Sequence, residues 1–202
     1  KKTYLCGMKN IVFDLGGVVF ARDMRKCSQE FIDFFAFVRA TQMPKFWEEY
    51  DRGALSLDEA KEVLCEINHC SRETCDEFVH LGIHMQEPIR ATEQLIGELK
   101  QAGYKLYVLS NMSQEFIAFL RQIPVYSHFD GEVISCEEHT VKPEPRIYEI
   151  LLKRYALDPA ETLFIDDRAA NLIAAERFGL HTQLFLHADP ETSCQELRQR
   201  LL

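Results

Sequence analysis

The chain has 202 residues, 47% hydrophobic and 27% charged, which suits one globular domain of ordinary size with room for a small insertion. Its 32 acidic residues against 23 lysines and arginines give a net charge of -9, so the average surface repels a polyphosphate backbone and nucleic-acid binding is not expected. No stretch approaches the ~18 unbroken apolar residues of a membrane span. Residues 1–6 are too short and polar for a secretory signal, so no membrane partner and a cytoplasmic location are expected.

In chain order, residues 10–20 (Asn-Ile-Val-Phe-Asp-Leu-Gly-Gly-Val-Val-Phe) form an apolar run broken by Asp14 and two glycines. The pattern predicts a buried strand that presents an acid at its C-terminal end and then turns. Residues 21–87 carry helical patterns over 24–40, 57–69 and 72–84 and no convincing strand. Phe31, Phe34, Phe35 and Phe37 crowd the first of these and Trp47 follows, which points to a helical insertion with its own apolar core. An insertion at this place would lie over the strand ends as a lid. Ser56-Leu57-Asp58-Glu59 has the form of a capping box, and the helix it opens would carry Cys65 and His69 on one face, with Cys70 and Cys75 beyond. These four could hold an ion. Their spacing is wider than that of paired zinc ligands, and such thiols more often sit buried as small hydrophobes. The 7 cysteines are scattered without a disulfide framework, and reduced thiols are the simpler reading.

The remaining chain alternates. Residues 88–102 predict a helix with Pro88 near its start, apolar Ile89, Leu95, Ile96 and Leu99, and Gly103 as a stop. Residues 104–109 read as a strand followed at once by Ser110-Asn111, and residues 162–165 as a strand followed by Asp166-Asp167. Shorter strand candidates are 133–135 and 182–185, and 147–155 and 169–178 are helical. Strands alternating with helices of this length predict a parallel sheet covered on both faces, with ligands at the C-terminal strand ends. A sheet of that kind would bring together Asp14, Ser110-Asn111, Lys142 and Asp166-Asp167. Two adjacent buried acids repel, so a cation at their site is expected.

In this order, over about residues 10–185, these features resemble the haloacid dehalogenase superfamily, in particular its phosphatase branch with a helical cap after the first motif. Asp14-Leu15-Gly16-Gly17-Val18 is similar to the first motif, D-x-D-x-T or V; Ser110-Asn111 to the second; Lys142-Pro143 to the third; and Asp166-Asp167 to the fourth. The resemblance implies an α/β fold: a Rossmann-like three-layer core with a parallel sheet of order 3-2-1-4-5. That core would comprise residues 1–20 and 88–202, with a helical cap over 21–87.

The resemblance also implies a Mg²⁺-dependent phosphatase acting on a small phosphorylated metabolite, possible sugar phosphates included. Asp14 would attack phosphorus and form an aspartyl-phosphate. Asp14, the Gly16 carbonyl and Asp167 would hold the metal, with Asp166 ligating directly or through water, and an all-oxygen set favours Mg²⁺ over zinc. The Ser110 hydroxyl and Asn111 amide would hold phosphoryl oxygens while Lys142 neutralises charge, and Asn171 would support the acids.

The departure is Gly16, where most phosphatases of the family carry an aspartate that protonates the leaving alcohol; losing such a group typically costs about 10²–10⁴ in rate. Either the substrate needs less protonation, as an anomeric sugar phosphate does, or water or a cap residue (Arg22, Asp23 or Glu48) substitutes. Some sugar-phosphate phosphatases of the family share the glycine. The alternatives are a weakened phosphate-binding scaffold and a metal-free 2-haloacid dehalogenase, the latter disfavoured by the Asp166-Asp167 pair.

Overall fold

The computed structural model describes residues 7–40 and 43–202; Cys6 and the N-terminal segment considered above lie outside them. The chain opens on strand β1 (Asn10–Phe13), turns through residues 15–19 and enters a short strand, β2 (Phe20–Arg22). Four helices follow: α1 (Gln29–Phe34), α2 (Lys45–Asp51), α3 (Leu57–Asn68) and α4 (Arg72–His84). Strand β3 (Gln86–Pro88) then returns antiparallel to β2. Next come α5 (Arg90–Gln101), β4 (Lys105–Ser110), α6 (Gln114–Leu120), β5 (Gly131–Ile134), α7 (Ser135–Glu138) and α8 (Pro145–Arg154). The fold closes with β6 (Thr162–Asp166), α9 (Ala169–Glu176), β7 (His181–Leu184) and α10 (Pro190–Leu201).

The five long-range strands form one parallel sheet in the order β5-β4-β1-β6-β7, which by order of appearance of these strands is 3-2-1-4-5, as expected. Side-chain alternation along the central strands explains the three layers. Ile11, Phe13, Leu106, Val108, Leu163 and Ile165 face one apolar cluster, shared with Leu95 and Leu99 of α5 and Leu197 of α10. Val12, Tyr107, Leu109 and Phe164 face the other, against Ile147, Tyr148 and Leu151 of α8 and Leu172 and Ala175 of α9. The strands that lose both faces to water in this way have polar groups at their C-terminal ends: Asp14 after β1, Ser110 at the end of β4, Asp166 at the end of β6.

A third cluster lies within and beside the α1–α4 segment and gathers Phe31, Phe34, Phe35, Trp47, Tyr50, Leu64, Cys75 and Val79, with Phe116 of α6 added from the sheet side. The aromatics pack mainly edge-to-face, as ring quadrupoles prefer; Phe34 and Phe35 centroids are 4.8 Å apart and Trp47 and Tyr50 5.2 Å. They are core, as the sequence suggested.

Several local expectations need correction. The single helix over 24–40 is instead a 3-10 turn (Met24–Lys26), α1 and a second 3-10 turn (Ala36–Arg39), because the Ser28 hydroxyl accepts the Phe31 amide and starts a new helix there. Residues 21–87 do contain strand: β2 and β3 pair across Phe20–Pro88, Ala21–Glu87 and Arg22–Gln86. Pro88 therefore closes a strand rather than opening α5, a place open to proline in a two-stranded ribbon. The Ser56–Glu59 capping box is present, but α3 stops at Asn68 and His69 takes a left-handed conformation (φ 51), so Cys65 and His69 do not share a helical face. Cys75 is buried, and Cys65 and Cys70 are partly so.

Candidate active site

The carboxylates of Asp14, Asp166 and Asp167 offer oxygens within 4.8 Å of one another; among the described residues this is the one group of three or more acids, histidines or cysteines placed to hold an ion. β1 and β6 are neighbours paired Phe13 to Ile165, so the residues just beyond that pair must meet. The Asp14 amide continues the ladder to the Ile165 carbonyl at 2.9 Å, which fixes the carboxylate at the C-terminal end of the central strand.

Lys142 is buried with them. Its Nζ stands 2.8 Å from Asp14 Oδ1 and 2.7 Å from Asp166 Oδ2, and donates to the Leu109 carbonyl at 2.9 Å. The charge-favouring contacts to both acids outweigh burial and hold the ammonium above its ordinary value. The Ser110 hydroxyl donates to Asp14 Oδ1 at 2.8 Å. Asn111 grips the lysine's backbone: its Nδ2 donates to the Lys142 carbonyl at 2.9 Å and its Oδ1 accepts the Lys142 amide at 2.7 Å.

The two acids of the pair differ. Asp166 is fully buried and both its oxygens are engaged. Oδ1 accepts the Arg168 amide at 2.7 Å, Oδ2 meets Lys142, and Asn171 Nδ2 reaches the two oxygens at 3.1 and 3.0 Å. Asp167 has only His187 Nδ1 at 3.7 Å within reach among the described residues. Burial, with the charges of Asp14 and Asp166, pushes the Asp167 carboxyl up to about 7, and burial likewise raises Asp14 despite Lys142. Three clustered carboxylates against one ammonium leave charge to be neutralised. The candidate ligand atoms are all oxygens, with Asp14 Oδ2 unpartnered among the described residues and Asp167 within reach of His187 alone, so the residues fit a hard divalent cation such as Mg²⁺.

The Gly16-Gly17 turn sits directly against this cluster. Gly17 adopts φ +76, and a Cβ there would lie 2.8 Å from Asp167 Oδ2, so only glycine lets the turn approach. Gly16 has no such constraint; a Cβ built on it meets nothing within 4 Å.

The α1–α4 segment reaches the site from above the strand ends. Arg168 Nη2 donates to the Val38 carbonyl at 3.3 Å. The end of α2 is tied down more firmly: Tyr50 donates to Glu115 at 2.7 Å, and Arg52 forms a forked pair with Glu144 at 2.8 and 2.7 Å. Gly53 (φ +73) passes so close to α7 that a Cβ would lie 2.7 Å from the Cys136 carbonyl.

Of the cap residues considered as substitutes for a missing acid, Asp23 is ion-paired with Arg25 at 2.8 Å, which holds it down to about 2. Arg22 spends its Nε–H on the Gly82 carbonyl at 2.9 Å and lies over the Phe35 and Phe116 rings; burial lowers it to about 10. Glu48 is partly exposed and paired with Arg52 at 3.0 Å. The residue that sequence reasoning missed is Asp51, buried at the last position of α2. A signal was available: an acid opposes the helix dipole at a C-terminal end, so its presence there calls for another reason.

A parallel sheet of this order with acids at its central strand tips and a buried lysine between them defines a class of α/β hydrolase. The family profile of haloacid dehalogenase-like hydrolases matches residues 8–179, and the chain belongs to that family. It is 31% identical over 192 residues to D-ribitol-5-phosphate phosphatase of Bacteroides thetaiotaomicron, covering 87% of this chain and 90% of that one. It is 30% identical over 194 residues to a sesquiterpene phosphatase of Aspergillus oryzae, covering 95% of each. Among solved structures, a wild-type haloacid dehalogenase family enzyme of B. thetaiotaomicron, complexed with magnesium and inorganic phosphate, superposes with TM-score 0.70 at 25% identity over 90% of this chain and 96% of that one. This chain is thus an enzyme of a hydrolase family with phosphatases among its relatives, and no helix among its described residues is long and apolar enough to cross a membrane.

Proposed function

We propose that the protein is a Mg²⁺-dependent phosphomonoesterase that works through an aspartyl-phosphate on a small phosphorylated metabolite, with sugar phosphates the first class to try. The observation that carries this reading is the under-neutralised cluster of Asp14, Asp166 and Asp167 around Lys142. The phosphatase relatives support it, D-ribitol-5-phosphate phosphatase pointing to the sugar-phosphate class.

In this reading Asp14 is the nucleophile. Ser110 and Lys142 both sit on its Oδ1, which orients the carboxylate and leaves Oδ2 for the substrate or the ion. Asp14, Asp167 and the Gly16 carbonyl would hold Mg²⁺, with Asp166, its oxygens already engaged, contributing through water and by aiming Lys142. Bound Mg²⁺ supplies charge neutralisation that lets a carboxylate approach a phosphate dianion. Lys142, the Ser110 hydroxyl and the Asn111 amide would then face the charge developing on the phosphoryl oxygens. Residues 21–87 act as a cap over this site and residues 88–202 with 1–20 as its core. A metal-free dehalogenase has no use for a second poorly paired acid at Asp167, so the same cluster speaks against it.

Phosphate release from p-nitrophenyl phosphate is expected to require Mg²⁺, to stop on chelation and to vanish in Asp14→Asn. Undiminished activity in that variant, or halide release from 2-chloro acids without Mg²⁺, refutes the reading.

A further inference from the structure

The geometry points to Asp51 as the general acid and base of the reaction, supplied by the cap in place of the aspartate that Gly16 does not provide. This rests on the phosphatase reading above and adds to it the group that handles the proton.

Three placements support it. Asp51 is only 8% exposed and has no ion-pair partner within 4 Å among the described residues, which is unusual for a carboxylate without a task. Its backbone is tied through Ser135 to the loop that follows β4, and its carboxylate faces the same loop. The Ser135 hydroxyl donates to its carbonyl and accepts the Met112 amide at 2.9 Å, and the Ser113 amide lies near enough to its carboxylate to favour the charged form. Met112 and Ser113 directly follow Ser110-Asn111, so the carboxylate stands beside the loop expected to hold the phosphoryl group. Asp51 also lies on the cap side, and in-line attack by Asp14 from the sheet expels the leaving oxygen towards that side.

The groups that act on the Asp51 carboxylate are Arg168, Asp14 and Glu48, together with the Ser113 amide. Burial, aided by Asp14 and Glu48, outweighs Arg168 and pushes the carboxyl up to about 7, where an acid can both give and take a proton near neutrality. In the first step the Asp14 oxygen bonds to phosphorus as the ester P–O bond breaks, and the Asp51 proton moves to the leaving oxygen. In the second, the Asp51 carboxylate takes a proton from water as that water's oxygen bonds to phosphorus and the Asp14–phosphorus bond breaks, releasing phosphate.

The test uses the full chain with Mg²⁺ on two substrates, p-nitrophenyl phosphate, whose leaving group needs no proton, and phenyl phosphate, whose leaving group does. Asp51→Asn, which keeps the size and shape of the side chain, is expected to lower kcat/KM on phenyl phosphate about 10²–10³-fold and on p-nitrophenyl phosphate under about 10-fold. It should also flatten the basic limb of the pH profile and let the phosphoryl-enzyme build up, seen by intact mass. Asp51→Glu should keep part of the activity. Adding Gly16→Asp, which enters open space, should restore phenyl phosphate hydrolysis to Asp51→Asn. Equal losses on the two substrates, no loss on either, or no restoration by Gly16→Asp overturns the assignment while the wild type and Asp14→Asn still report on the phosphatase reading. A wild type inactive on both substrates refutes that reading and this one with it.

Discussion

Removing the Asp167 charge should make the metal-free protein more stable. The Asp167 carboxyl rises from 3.8 to about 7 because it is buried near Asp14 and Asp166, with Lys142 and Arg168 pulling weakly the other way and His187 3.7 Å off. A carboxyl raised in the folded state binds its proton more tightly there than in the unfolded chain. Folding stability is therefore intact below pH ~4 and is lost as pH rises towards ~7. About three pH units at 1.36 kcal/mol each make the loss up to about 4 kcal/mol at pH 8. For a chain of this length that amounts to on the order of 10 °C in Tm. Asp167→Asn abolishes this term, so in EDTA the variant should exceed the wild type in Tm at pH 8 and match it near pH 4. Asp51, raised to the same range, gives a slope of the same sign in both proteins and drops out of the difference. Mg²⁺ should then raise the wild-type Tm and leave the variant's unchanged. Denaturation from pH 4 to 8.5 in EDTA and in Mg²⁺ decides the matter. Parallel pH dependences in EDTA, or equal Mg²⁺ stabilisation of both proteins, would refute the electrostatic argument.

Lys142→Met strands Asp14 and Asp166, so it should cost about 3–5 kcal/mol at pH 7.5 and less at pH 5, where the Asp14 carboxyl, already raised by burial, takes up a proton; urea melts at the two pH values read the difference. Gly17→Ala puts a Cβ 2.8 Å from Asp167 Oδ2 at φ +76, and should lower Tm and weaken Mg²⁺ stabilisation together. Gly53→Ala meets the Cys136 carbonyl at 2.7 Å and should lose at least about 1 kcal/mol, with turnover falling more than Mg²⁺ affinity because α2 rather than the carboxylate cluster is displaced. Gly97→Ala, in α5 with nothing within 4 Å, should stabilise by about 1 kcal/mol and leave turnover unchanged.

Most of the sheet was legible because its strands are buried on both faces and end on polar residues; Val-Phe-Asp at 12–14 and Phe-Ile-Asp at 164–166 mark both the strand and the site. The convergence of Asp14, Ser110 and Asp166-Asp167 followed from where parallel strands end, and Lys142 joins them from the segment between α7 and α8. The failures lie where pattern is short or local choices compete. β2 and β3 have three residues each, too few to show an alternation, and they exist because the chain leaves and re-enters the core side by side. The 24–40 segment has helical apolar spacing, yet Ser28 gains more as a cap than as a helix interior residue. Asp51 was missed, despite its place at a helix C-terminal end, for a different reason. Its neighbours Met112, Ser113, Ser135 and Arg168 are distant in sequence, and a lone acid beside Arg52 reads as a solvated helix end until the fold brings them together.

The two glycines at 16 and 17 separate steric need from chemical choice. Position 17 must be glycine for the turn to touch Asp167, whereas position 16 has ordinary backbone and open space, so nothing in the packing forbids an aspartate there. On the proposed phosphatase mechanism its absence is then a statement about chemistry, and the proton would have to be handled elsewhere. If Asp51 on α2 is the acid and Asp14 after β1 the nucleophile, the two halves of the reaction stand on different bodies of structure. They are joined by Tyr50–Glu115, Ser135–Asp51, Arg52–Glu144 and the Gly53–Cys136 contact, all at one helix end. An acid held this way can be withdrawn without disturbing the carboxylate cluster. Loosening α2 from α7 should therefore leave metal binding and phosphorylation of Asp14 by an activated ester intact, and slow only the steps that need a proton.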